Sequence, residues 1–91
     1  MVYLITYDIN TAVNRYDSLY EEIKLLGDSY YHPLESVWSI SCESSVRAIT
    51  DRLKRKLDVR DSIFVTEIHP EYRMDGWLPK SFWEWLKDNM K

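Results

Sequence analysis

The chain has 91 residues, twelve Lys and Arg against fifteen Asp and Glu for a net charge of −3, and is 45% hydrophobic and 30% charged. That length and composition fit one small domain spanning residues 1–91 and exclude a disordered chain. The acidic balance excludes broad non-specific nucleic-acid binding, which draws most of its affinity from phosphate neutralisation, so any polyanion contact must be local.

Cys42 is the single cysteine. A disulfide framework and a thiolate metal cluster are therefore excluded, and a reducing, cytoplasmic compartment fits. The apolar runs are short and broken by charge, so neither a signal peptide nor a membrane span is expected. Aromatics make up 14% of the chain, with seven Tyr and four Trp. Each can bury about 150–250 Å². A small core needs few of them, and the surplus points to an apolar surface that self-association would hide.

In chain order, residues 2–9 predict a strand of β-branched and aromatic residues, apolar on both faces until Asp8 and therefore central in its sheet. Residues 10–13 read as a loop. Asn14 is placed to cap a helix with apolar positions Tyr16, Leu19, Tyr20, Ile23 and Leu26, stopped by Gly27. Residues 29–32 predict a short strand, 33–35 a turn, and 37–42 a third strand with Trp38, Ile40 and Cys42 on one face. Ser44 or Ser45 caps a second helix lined by Val46, Ile49, Leu53 and Leu57. Residues 62–68 predict the fourth strand and residues 70–76 a connection. A short C-terminal helix follows over 79–89, with Pro79 in its first turn.

This order predicts an α+β, ferredoxin-like βαββαβ fold: an antiparallel sheet with helices on one face, plus a short C-terminal helix. The opposite sheet face needs cover from the Trp-rich tail, a second subunit, or both.

Tyr7-Asp8-Ile9 at the end of the first strand resembles the Tyr-Asp-aliphatic signature of the CRISPR-associated protein 2 superfamily. Ser36-Val37-Trp38 is similar to its Ser-Val-aromatic motif, and the tail ending near Glu84-Trp85-Leu86-Lys87 resembles the SinR-like branch. Virulence-associated protein D is a more distant cousin. The resemblance covers nearly the whole chain in element order and implies a homodimer whose two Asp8 carboxylates face one another across a two-fold axis and hold Mg²⁺ or Mn²⁺. It further implies metal-dependent nuclease activity in some members, with RNA preferred here over DNA, and non-catalytic scaffolding in others. His32, Pro33 and Leu34 stand where the best-known members carry an Arg and a Gln, and the hairpin is longer, which separates this chain from their substrate-binding chemistry.

Each candidate residue has a structural alternative. One carboxylate holds Mg²⁺ poorly, because that ion seeks about six oxygens and keeps several waters. Two symmetry-related aspartates supply the second charge and a place to activate water. The alternative for Asp8 is an Asx-type turn through the amides of Asn10 or Thr11. Ser36 and Arg15 are candidates for placing a phosphate; for Ser36 the alternative is a hydroxyl that ties its own turn. Trp38 and Cys42 are expected in the core. His32 flanks the hairpin towards the Asp8 region and His69 follows the fourth strand, but no spacing fixes either beside a nucleophile, and both are expected at surface or edge positions. The basic residues from Arg47 to Arg60 are interrupted by Asp51, Asp58 and Asp61, the last opening the fourth strand, and read as a solvated face. Trp77, Phe82, Trp83 and Trp85 are expected to pack the tail onto the sheet or a second subunit. Three functions follow: a metal-dependent nuclease with Asp8 as metal ligand and Asp8 and Ser36 catalytic; a non-catalytic dimer binding protein or nucleic acid; and a toxin–antitoxin component.

Overall fold

The computed structural model describes residues 1–10 and 16–90. Strand β1 (Val2–Asp8) is followed by helix α1 (Tyr16–Leu26), strands β2 (Ser29–Leu34) and β3 (Val37–Ser41), helix α2 (Val46–Lys54), strand β4 (Ser62–Ile68) and helix α3 (Lys80–Asn89). The sheet order is β2-β3-β1-β4, antiparallel throughout, so β1 is an inner strand as its two apolar faces require. This is the ferredoxin-like α+β fold. The Asn14 cap, the Arg15 candidate and most of the expected loop lie outside the described residues. Among the described residues no helix is long and apolar enough to cross a membrane.

The two-residue period of β1 divides the molecule into layers. Tyr3, Ile5 and Tyr7 point to α1 and α2 and join Leu19, Ile23, Ile49 and Leu53 in the main core, with Trp38, Ile40 and Cys42 from the β3 side. Each fully buried aliphatic side chain in this layer contributes about 1.5–3 kcal/mol. Ser45 begins α2 by accepting the Ala48 amide on its hydroxyl at 3.1 Å. Gly27 ends α1, but not through a left-handed backbone, since no glycine has positive φ. Its Cβ would come within 2.9 Å of the Ser29 carbonyl oxygen and 3.1 Å of Ile40 Cβ. Close approach of the helix end to the sheet is what requires glycine here.

On the other face α3 covers one end of the sheet. Phe82 and Leu86 bury against Val2, flanked by Tyr31, Ile68, Trp83 and Trp85. The Trp85 indole donates to the Ser29 hydroxyl at 2.7 Å, and the hydroxyls of Tyr31 and Ser81 are hydrogen-bonded. Beneath this roof Ser39 is fully buried and its hydroxyl has no partner among the described residues.

Several boundaries differ from expectation. β2 runs on through Pro33 to Leu34, with an irregularity between Tyr31 and Leu34, so the turn falls at 35–36 rather than 33–35. Proline is tolerated because β2 is an edge strand. α2 stops at Lys54, short of Leu57, and Pro79 is the N-cap of α3 rather than a residue of its first turn. Trp77 departs most. It is fully exposed, whereas the other tail aromatics pack.

Candidate functional site

Asp8 closes β1 on the sheet face opposite α1 and α2. In the register it faces Ser62 of β4, and with Thr6 and Phe64 the two border a shallow hollow of about 220 Å³. Asp8 is exposed, and among the described residues its carboxylate has no hydrogen bond or ion pair. The Asx-type turn is corrected on one count. The Asn10 amide donates to Asp61 Oδ1 at 2.9 Å, not to Asp8, and Thr11 lies outside the described residues.

Asp61, expected only to open the fourth strand and interrupt the basic stretch, organises this end of the sheet. Its Oδ2 accepts the Asp58 amide at 2.8 Å while Asn10 Nδ2 donates to the Arg60 carbonyl at 2.9 Å. The loop leaving β1 is thus tied to the loop entering β4, which fixes the position from which Asp8 projects. The Asp58-x-x-Asp61 spacing, able to return a carboxylate to an amide three residues back, was the available signal.

Alongside, one carbonyl anchors the β2–β3 turn. The Glu35 carbonyl oxygen accepts from the Tyr7 hydroxyl at 3.0 Å and the Tyr20 hydroxyl at 3.2 Å. His32 Nε2 also lies 3.0 Å from it, and since a carbonyl only accepts, that nitrogen carries the ring proton. The Trp38 indole donates to the Tyr7 hydroxyl at 3.2 Å, and the His32 ring stacks on Trp38 with centroids 4.1 Å apart. Burial first, and the Tyr20 hydroxyl second, push the Tyr7 phenol well above the ordinary tyrosine range.

Ser36 follows directly. Its carbonyl accepts the Tyr7 amide at 3.3 Å, so it stands level with Tyr7, one residue short of Asp8. Its hydroxyl makes no hydrogen bond among the described residues, so the expected hydroxyl-tied turn is corrected: the Glu35 carbonyl does that work. Asp8 and Ser36 share one end of the sheet, but strand alternation gives Tyr7 and Asp8 opposite faces. His32 stays with Trp38 on the helix side and does not join Asp8. His69 keeps its edge position, paired with Glu67 at 2.8 Å. The basic stretch is a solvated face, with Arg47 on Asp51 and both Arg52 and Lys56 on Glu22.

Among the described residues of one chain, no three His, Cys, Asp or Glu side chains are grouped to hold a metal ion. Asp8 offers a single carboxylate, and a second copy would have to provide the rest.

Next to Asp8 the open face is apolar. The register aligns Leu34, Val37, Thr6 and Phe64 in one row across all four strands. Leu34 is 52% and Phe64 63% exposed, so the row is uncovered at both borders.

No family model matches this chain, and no curated protein matches it. Among solved structures it is similar to the crystal structure of a hypothetical protein, TT1823, from Thermus thermophilus. The two are 24% identical with a TM-score of 0.60, over 86% of this chain and 93% of that one. That likeness supports the fold and leaves function to the site.

Proposed function

We propose that this chain forms a homodimer through its open sheet face, in which the two Asp8 carboxylates hold one Mg²⁺ or Mn²⁺ and cleave phosphodiester bonds in RNA. The reading rests on one observation: an exposed carboxylate without a partner among the described residues, held out by an inner strand beside an uncovered apolar row. Burying that row against its twin brings two like charges together, and a hard divalent ion reconciles them with two oxygens while keeping several waters. When bound, the ion would polarise a phosphoryl oxygen and lower the pKa of a coordinated water. The chain's own part is to position: Asp61 and Asn10 fix the loops around Asp8, and the Glu35 anchor holds the Ser36 turn level with the strand end. Ser36 and Arg15 are proposed to steady the phosphate.

Asp8→Ala tests this. Mn²⁺-dependent cleavage of a single-stranded RNA should fall at least about a hundredfold, and calorimetric Mn²⁺ binding should vanish, while the fold is retained. Equal cleavage by wild type and variant removes the catalytic reading.

A second reading, a dimer that binds protein or nucleic acid without catalysis, is favoured by the register that sets Ser36 level with Tyr7 rather than Asp8. Under it, Asp8→Ala leaves partner binding intact, whereas changes to the apolar row abolish it.

A further inference from the structure

Trp77 is the largest side chain in the molecule left entirely in water. Its neighbours explain why it points outward. Gly76 lies on the Trp83 ring, its hypothetical Cβ 3.6 Å from that indole, and Leu78 belongs to the apolar cluster under α3. Pinned on both sides, the backbone presents Trp77 to solvent. Beside it, the segment before Gly76 and one flank of α3 enclose a groove of about 340 Å³, walled by Pro70, Tyr72, Met74, Trp83, Leu86 and Lys87. Thioether and aromatic walls suit an indole, and the Lys87 ammonium can sit over its face.

We propose that Trp77 and this groove are the two halves of a self-complementary contact between two copies of this chain, each Trp77 seated in the groove of its twin. Projection and recess lie side by side on one chain, joined through Gly76 and Trp83. A two-fold arrangement therefore satisfies both at once, as an isologous interface requires. Each indole removes about 150–250 Å² from water, and the walls it covers roughly double that. The total stays below the ~1,200 Å² of a standard specific interface, so the association is weak and concentration-dependent. The contact is independent of Asp8. Groove and Trp77 adjoin the helix that roofs Val2, at the other end of β1 from Asp8, about 20 Å away at ~3.3 Å per residue.

Sedimentation from about 1 µM to 1 mM reads the contact directly. Trp77→Ala removes the projection, and Met74→Glu places a charge in the recess; both positions are exposed, and circular dichroism verifies that each variant folds. Each variant alone should raise the association midpoint at least tenfold. An equimolar mixture of the two should recover part of the loss, because one intact projection then meets one intact recess. Trp77→Ala associating like wild type, a mixture no better than either variant alone, or a wild-type chain showing no Trp77-dependent association over this range overturns the proposal. Phe64→Lys, which acts on the Asp8 face, should leave this contact unchanged, so failure of the two-aspartate pairing and failure of this contact are read separately.

Discussion

Tyr7 shows how much a single side chain in this fold carries. Its ring fills the main core, its hydroxyl accepts from Trp38, and the same hydroxyl donates to the Glu35 carbonyl. Tyr7→Phe keeps the ring and leaves a buried indole N–H unpaired, which should cost about 1–3 kcal/mol by urea unfolding at neutral pH. The phenol also carries a pH signature. Because its folded pKa is raised, the neutral form is the one the fold accommodates; stability is present in full below about pH 10, the ordinary tyrosine value, and is lost as pH rises above it. Tyr3, raised mainly by burial, adds to the same loss. Tyr7→Phe should therefore lose less stability than wild type above that pH, and parallel pH profiles for the two would refute the assignment. At this scale the sequence was informative where identity decides the environment, as for Trp38 and Cys42, both buried in the core. It was silent on the Glu35 carbonyl, because every residue has one and only the folded chain shows which carbonyl receives three donors.

Elements were legible in order and type, and their ends were not. Exceptions are β4, whose alternation marked Ser62–Ile68, and the end of α1, marked by Gly27, whereas β1 stops at Asp8, one residue before its expected end. β2 overran its expected end because an edge strand tolerates Pro33, and α2 fell short because Leu57 packs on the core from beyond the last helical turn. α3 is the informative case. Its aromatic residues announced packing, but sequence could not distinguish the sheet from a second subunit as the target. Phe82 settles this by burying on Val2 between Tyr31 and Trp83. Phe82→Ala should cost about 3 kcal/mol and expose the Trp85 indole, seen as a red-shifted tryptophan emission. A loss under about 1 kcal/mol would mean that α3 contributes little to holding the sheet face.

For the whole molecule, the uncovered row from Leu34 to Phe64 is where the proposed pairing acts. Phe64→Lys sets a charge at its most exposed position and should weaken that dimer at least tenfold, about 1.4 kcal/mol, while thermal unfolding of the single chain hardly moves. A dimer of unaltered strength would place the pairing elsewhere. The ferredoxin-like layout could be read from element order, since a split βαβ arrangement leaves one sheet face bare; how far α3 would roof that face could not, because it depends on the path of residues 69–79. The two borders of the sheet are meanwhile unequal. β2 is blunted by Pro33, by its irregular register and by the side-chain ties that clamp Ser29 and Tyr31 to α3. β4 presents seven residues without proline and, among the described residues, has no strand beyond it. Unpaired amides and carbonyls of that kind are a template for another chain. Edge-to-edge pairing of this protein would therefore run through β4 and, with β2 blunted, close at two copies; a lysine or proline introduced on that rim is the simplest way to stop it.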